Sequence, residues 1–344
     1  MLHLHSIRPA ADTTPLAGTS HITHLPILLL NLHTLCNCRC VMCDIWQRTD
    51  ARQLAVATLE RHRDSMLQLG VRQVVLTGGE PLLNRELSGI LAFFRSLHVR
   101  VTLLTSGLLL EKRAPLLAEG VDEIILSLDG PAAVHDRIRG IPRGFETIAR
   151  GVGAIRRLSP GMPISCRTTV QKQNHTHLCA TVQAAHGLAL DSISFLPADV
   201  SSPAFNREQP WDAARTSEIA LDRSEVLALE AEIELVIATY PSEIRTGFIR
   251  ENAPKLRRLV TRFRERLDGL QPISPRCNAP WVSAVMEVDG ALRPCFFHEA
   301  TASTTNITLE EALNNTASQA FREQLDVATN DICRRCVCSL NYRS

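Results

Sequence analysis

Cys36-Asn37-Cys38-Arg39-Cys40-Val41-Met42-Cys43 closely follows an apolar run at residues 25–32. Three of its cysteines, Cys36, Cys40 and Cys43, keep the spacing C-x3-C-x2-C. Three thiolates on one short loop can ligate three irons of a [4Fe–4S] cluster and leave the fourth iron open to chelate a small molecule. Closely spaced cysteines also serve structural zinc. A zinc ion here would take its fourth ligand from Cys38, His33 or Asp44, and the loop by itself leaves both metals open.

Around the loop, the 344-residue chain is 45% hydrophobic and 21% charged, which is the composition of a sizeable globular protein of about two domains. Its net charge of +1 offers no electrostatic argument for nucleic acid or an anionic membrane. The densest basic stretch, residues 255–266, has apolar positions at helical spacing and reads as a solvated helix face. Eleven cysteines without a signal-peptide pattern point to a reducing, cytoplasmic setting rather than a disulfide framework. Residues 25–32 are too short to span a bilayer and contain Pro26. Residues 1–24 carry no clear pattern and read as a loose arm.

Apolar runs alternate with helical patterns, the signature of β/α units on a parallel sheet. Strands are expected at 26–33, 73–77, 100–105, 123–128, 163–170 and 192–196, with helices at about 55–69, 84–97, 111–119, 145–158 and 176–186. Six units predict an α/β fold, a partial (β/α)6 barrel over residues 25–205, with chemistry gathered at the strand ends. The first strand runs into Cys36. The second ends in Gly78-Gly79-Glu80-Pro81, where two glycines allow close backbone approach to a ligand and Glu80 offers a carboxylate. The third ends at Ser106, which serves equally well as a helix N-cap. The fourth ends in Ser127-Leu128-Asp129-Gly130, whose Ser127 and Asp129 share a strand face. Arg167 and Thr169 share a face of the fifth, and a buried-facing arginine needs an anion, either a ligand or a carboxylate such as Glu80 or Asp129. The sixth ends at Phe195-Leu196-Pro197, an apolar surface that, with Val170, Met42 and Trp46, can support a flat ring.

Residues 206–275 read as a helical connecting segment covering the open side of the barrel. Beyond it, residues 276–344 hold Cys277, then Cys295 across a Gly290-containing hairpin, a helical stretch at 308–325, and Cys333-Arg334-Arg335-Cys336 followed by Cys338. Five cysteines support one further four-cysteine cluster rather than two, with Cys336 favoured over Cys338 by spacing. A zinc ribbon is the alternative. Cys38, Cys166 and Cys179 are left as non-ligands.

The loop at 36–43, the Gly-Gly-Glu-Pro segment and the His135-Asp136-x-x-Arg139-Gly140 stretch together resemble the radical S-adenosylmethionine (SAM) enzymes. The C-terminal set resembles their twitch domain, the one-cluster version of the SPASM domain. The resemblance implies a small α+β auxiliary-cluster domain after the barrel, a SAM-binding [4Fe–4S] cluster on Cys36, Cys40 and Cys43, and an auxiliary [4Fe–4S] cluster on Cys277, Cys295, Cys333 and Cys336. It further implies SAM contacts from Gly78, Gly79, Glu80, Pro81, Ser106, Ser127, Asp129, Arg167, Met42 and Leu196. Glu80 would meet the SAM amino group, Arg167 its carboxylate, and Ser127 and Asp129 its ribose. One electron, from a reductase such as flavodoxin or ferredoxin, splits SAM to methionine and a 5′-deoxyadenosyl radical. The implied activity is hydrogen abstraction from a small molecule in a net oxidation or epimerisation, with the auxiliary cluster in electron transfer. A peptide maturase and a non-catalytic zinc-stabilised binding protein are the rivals. The catalytic base or hydrogen donor is not legible. The cyclase branch is disfavoured because the chain ends Leu340-Asn341-Tyr342-Arg343-Ser344, without a Gly-rich tail.

Overall fold

The structure, a computed structural model, describes residues 19–207 and 209–342. Six parallel strands form in sequence order: β1 (Ile27–Asn31), β2 (Gln73–Thr77), β3 (Arg100–Thr105), β4 (Glu123–Ser127), β5 (Ile164–Val170) and β6 (Ser192–Pro197). Each pairs in parallel with the next, and all six lie within about two residues of the runs read from sequence. The sheet does not close into a ring, because β6 ends one edge and β1 is followed on the other by a later strand.

Alternation divides the strand residues between two cores. Leu28, Leu30, Val74, Leu76 and Leu103 point outward into the helical layer, whereas Ile27, Leu29 and Val75, with Leu104 partly buried beside them, point into the lumen. The outer layer comprises α1 (Val56–Glu60), α2 (Arg63–Gln68), α3 (Leu87–Ser96), α4 (Leu110–Gly120), α5 (Ala132–Arg139), α6 (Gly144–Leu158) and α7 (Leu178–Gly187). The single helix expected at 55–69 is two, interrupted at Arg61 and His62. The stretch from His135 to Arg139 is itself helical, ending at Gly140 in the left-handed region at φ 64°, a C-terminal stop glycine accommodates.

The connecting segment is helical. It comprises α8 (Ala213–Ile219), α9 (Arg223–Thr239), α10 (Pro241–Thr246) and α11 (Ala253–Leu267). The apolar faces of α9 and α11, including Val226, Ile233, Leu256 and Phe263, join the outer core, and Ile249 bridges the free edge of β6, the open side of the sheet. The stretch just after β6 reaches the C-terminal part, where the Phe205 ring meets Phe297 edge to face at 6.2 Å, and α11 reaches it through Arg262 Nη1, which donates to the Arg334 carbonyl at 2.7 Å.

The hairpin expected after Cys277 forms as α12 (Ala279–Val282), β7 (Ser283–Met286) and β8 (Ala291–Arg293), with the short β9 (Ala302–Ser303) beyond. β7 pairs in parallel with β1, Ile27 opposite Ser283, so the hairpin extends the barrel sheet and the whole order is β6-β5-β4-β3-β2-β1-β7-β8-β9. The helical stretch at 308–325 is broken into α13 (Leu309–Leu313) and α14 (Thr316–Gln324), and α15 (Asp331–Arg335) precedes the last cysteines. Of the arm read at 1–24, residues 1–18 lie outside the described residues. The remainder is tied down rather than loose: the Ile22 N–H donates to Asn314 Oδ1 at 2.8 Å, and Arg322 donates to the Ser20 carbonyl at 2.6 Å.

Candidate active site

The cysteine loop leaves β1 and is held by three separate stretches of chain. The first is the end of β2. Gly79 N–H donates to the His33 carbonyl at 2.8 Å and Glu80 N–H to the Leu35 carbonyl at 2.9 Å, prolonging the β1–β2 ladder into the approach to Cys36. A Cβ on Gly79 would lie 2.1 Å from the Leu35 oxygen, and Gly78, at φ +123°, would meet the His33 oxygen at 2.9 Å. The close backbone approach read from these glycines is therefore made to the chain's own loop.

Glu80 is fully buried. Its Oε1 accepts from Leu82 N–H at 3.1 Å and Thr105 Oγ1 at 2.8 Å, and its Oε2 from Ser106 N–H at 2.9 Å and Ser106 Oγ at 2.6 Å. Ser106 Oγ also lies 3.1 Å from Asn37 Oδ1 inside the cysteine loop. Pro81 begins the short 3-10 turn that Glu80 caps. Glu80 and Ser106 thus form an internal brace between β2, β3 and the loop, and the carboxylate has four donors before any ligand arrives. Burial pushes the Glu80 carboxyl up, against the pull of these donors.

The second brace is the end of α5. Arg39 and Val41 donate their N–H groups to the carbonyls of Arg139 and Ile138, at 2.9 and 3.0 Å. Asp129 is fully buried; its Oδ2 accepts from Arg139 Nε at 2.6 Å and its Oδ1 from Thr169 N–H at 2.9 Å. The ribose contact expected of Asp129 meets a carboxylate already engaged on both oxygens. His135 Nδ1 accepts from Asp129 N–H at 3.3 Å, and burial drives the His135 pKa down to about 3, so the ring is neutral. Asp136 accepts from Phe145 N–H at 2.8 Å. The His-Asp-x-x-Arg-Gly stretch is thereby accounted for by contacts within the chain.

The third brace follows β6. Arg207, buried with Asp199, donates to Asp199 Oδ2 at 3.1 Å and to the Met42 carbonyl at 3.3 Å, and its guanidinium lies 3.8 Å from the Trp211 ring centroid. Trp211 Nε1 donates to Asp44, and Arg215 to the Val41 carbonyl. Sequence reasoning missed Arg207 and Arg215 because each reaches the loop across more than 160 residues of chain.

Between these braces Cys38, Cys40 and Met42 are buried with Val134, Ile138, Ala198 and Ile219, while Cys36 and Cys43 lie partly exposed at the edge of that cluster. Met42 is buried in that cluster, and Val170 faces the helical layer. Leu196 and Ser127 are half-buried at their strand ends, and Arg167 faces a small lumen cavity with Glu123, Ser165, Ser194 and Arg250. An unforeseen residue is Gln171, directly after β5, whose buried amide has no partner on either polar atom among the described residues. An open hollow of about 480 Å³ lies over Cys36, Asn37, Cys38, Arg39, Trp46, Gly140 and Ile141.

The thiols differ in character. Cys40 is drawn down to about 6, chiefly by a hydrogen bond from Cys38 with Arg139 assisting, while burial pushes Cys43 up to about 12. In the C-terminal set burial raises Cys295 to about 11 and Cys333 to about 12, with the neighbouring Cys277 adding to both. Cys277 and Cys295 pack against the lumen core formed by Ile27, Leu29 and Val75, and His298 Nε2 lies 3.4 Å from Cys333 Sγ. The thiol-rich donor sets, Cys36, Cys40 and Cys43 around one apolar cluster and Cys277 and Cys295 against the lumen core, are of the soft kind that suits iron–sulfur chemistry. The buried, unpartnered amide of Gln171 suits a polar ligand at the barrel mouth.

Residues 30–183 match the family model of the radical SAM superfamily, and residues 277–337 that of SPASM, an iron–sulfur cluster-binding domain. The match to an iron–sulfur domain replaces the zinc alternative at the C-terminal cysteines. Among curated relatives, the AdoMet-dependent heme synthase of Methanosarcina barkeri is 31% identical over 173 residues, 48% of this chain and 49% of that one. The pre-heme d1 synthase of Dinoroseobacter shibae is 29% identical over 232 residues, 65% of this chain and 55% of that one. The chain thus spans about half the length of these curated relatives. The structure of Streptococcus suis SuiB bound to S-adenosylmethionine superposes with a TM-score of 0.65 at 14% identity, covering 94% of this chain and 74% of that one, a likeness of fold. No described helix is long and apolar enough to cross a membrane. With a SAM-binding cluster and an auxiliary cluster as its cofactors, the chain belongs to the radical SAM superfamily and carries a SPASM iron–sulfur domain in its C-terminal part.

Proposed function

We propose that Cys36, Cys40 and Cys43 hold the SAM-binding cluster, that Cys277, Cys295, Cys333 and Cys336 hold the auxiliary cluster, and that the protein oxidises a small organic molecule bound in the barrel lumen. When loaded and reduced by a flavodoxin or ferredoxin, the first site supplies a 5′-deoxyadenosyl radical that takes a hydrogen atom from an unactivated carbon.

The observation that carries the reading is the placement of Cys277 and Cys295 against Ile27, Leu29 and Val75. The auxiliary set thereby borders the lumen onto which the strand ends open. β1, about 17 Å long for five residues, runs from beside that set to the approach to Cys36. A substrate in the lumen lies between the two sites, which suits removal of a hydrogen at one and of an electron at the other. The three braces hold the loop in register. Ser127, Arg167, Leu196 and Gln171 are the side chains positioned to orient SAM and substrate, and Glu80, Ser106 and Asp129 support them from beneath.

The test is anaerobic reconstitution with SAM and dithionite, and detection of 5′-deoxyadenosine by mass spectrometry. Candidate substrates, tetrapyrroles first because curated relatives are heme synthases, are then screened for deuterium transfer into that product. Deuterium transfer from a peptide would redirect the substrate assignment to maturation. Stoichiometric zinc with no 5′-deoxyadenosine would overturn the reading and leave a metal-stabilised binding protein.

A further inference from the structure

We propose that Arg139 is a positioning residue that hydrogen-bonds the Cys40 sulfur and raises the reduction potential of the cluster on the 36–43 loop. The inference rests on the assignment of Cys36, Cys40 and Cys43 as ligands. Arg139 Nη1 lies 3.5 Å from Cys40 Sγ, while its Nε is committed to Asp129 Oδ2 at 2.6 Å. The arginine side chain is 12% exposed and the aspartate 0%. Asp129 has no freedom to turn away, because Thr169 N–H holds its other oxygen. Gly140 leaves just enough room for the helix end to press on the loop; a Cβ there would meet the Arg39 oxygen at 2.8 Å.

Docking of α5 on the loop does not require the guanidinium. The carbonyls of Ile138 and Arg139 already accept the loop's N–H groups, and Val134 and Ile138 supply the apolar contact. A buried ion pair is, moreover, a weak source of stability against its desolvation cost. Its placement matters for a different reason: a fixed cation and an N–H donor at a cluster sulfur favour the more negative, reduced cluster, and hydrogen bonds to sulfur are among the factors that set cluster potentials. Asp129 offsets part of that charge, so the pair sets the potential between two limits.

Opposite shifts follow from opposite substitutions. The full-length protein is reconstituted as wild type, Arg139→Gln, Arg139→Lys and Asp129→Asn, and each is titrated by EPR-monitored potentiometry. The cluster at issue is the one whose signal changes on adding SAM. Arg139→Gln is expected to disfavour reduction about tenfold, a fall of about 59 mV for one electron. Arg139→Lys should restore most of it, and Asp129→Asn should shift it upward. A purely structural role predicts altered iron content without these opposed shifts. An unmoved potential in Arg139→Gln with full iron overturns the inference. Should that variant lose the SAM-responsive cluster, the absence of an upward shift in Asp129→Asn overturns it instead. If Cys40→Ala keeps the SAM-responsive signal, the ligand assignment itself has failed and the inference falls with it.

Discussion

Replacing Glu80 with Ala separates two roles for this carboxylate, contact with SAM and support of the cysteine loop. The side chain is fully buried and accepts from two backbone N–H groups, Leu82 and Ser106, and from the hydroxyls of Thr105 and Ser106. The hydroxyls can rotate to other acceptors, but the N–H groups cannot. Each buried N–H left without a partner costs about 1–3 kcal/mol. Relief from burying a carboxylate offsets part of this, since burial already pushes its carboxyl up. A loss of about 3 kcal/mol is expected for Glu80→Ala, and about half of that for Glu80→Gln, which keeps one acceptor oxygen. Urea unfolding of cluster-free protein under reducing conditions, followed by circular dichroism, reads this as a lower midpoint at unchanged slope. Iron content at the loop should fall in parallel, because Ser106 then loses the anchor that sets it against Asn37. If Glu80→Ala unfolds at the wild-type midpoint, keeps full iron and loses only SAM affinity, the brace is refuted and the carboxylate belongs to the ligand.

Gly79→Ala drives a methyl to 2.1 Å from the Leu35 oxygen, a backbone atom that cannot rotate aside, so a cost of about 1–3 kcal/mol and displacement of the loop are expected, seen as loss of the SAM-responsive EPR signal. His135, held neutral with its pKa near 3, contributes stability that is fully present above the unfolded value of 6.5 and is lost as pH falls below it, by about 1.4 kcal/mol per unit. His135→Gln should therefore lose less stability than wild type between pH 7 and pH 5, and equal losses in urea titrations would contradict the buried neutral ring. Wild-type protein should carry about eight irons and the Cys36, Cys40 and Cys43 triple alanine variant about four. Cys336→Ala should abolish the auxiliary EPR signal and Cys338→Ala retain it, since Cys338 N–H donates to Cys336 Sγ at 3.4 Å from outside the assigned set; the reverse result would exchange their roles.

The six barrel strands were legible because each is a short apolar run ended by a turn or a polar pair, and parallel strands buried on both faces leave that trace. The pairing of β7 with β1 was not, since Ser283–Met286 has nothing in its own sequence that names a partner more than 250 residues earlier. Local reading also leaves open what each side chain meets. Gly78 and Gly79 do mark a close approach, yet periodicity cannot tell a ligand from the chain's own Leu35. Asp129 and Arg167 lie two strand positions from Ser127 and Thr169, as alternation requires, but which charge answers Asp129 depended on a helix whose last residue, Arg139, packs onto Cys40. Met42 illustrates the same limit, being spaced like a cofactor contact and buried like a core residue.

The braces bear on how the site is loaded. Four cysteines stand in the eight residues 36–43, and ionised thiols there repel one another; a loop of that length has no core of its own to resist. Here its backbone is held from outside: at residues 33 and 35 by the end of β2, at 39 and 41 by α5, and at 41, 42 and 44 by the segment after β6. The entropic cost of ordering the loop's backbone is thus met when the barrel folds rather than when metal arrives. What remains to be met at loading is deprotonation, because burial holds Cys43 and Cys333 up to about 12 and Cys295 to about 11. On the proposed ligand assignment each of these releases its proton to the solvent as the metal binds, so loading at both sites should strengthen with rising pH. Cys40, already drawn down to about 6 beside Cys38 and Arg139, is the thiol best prepared to take the first iron at the loop.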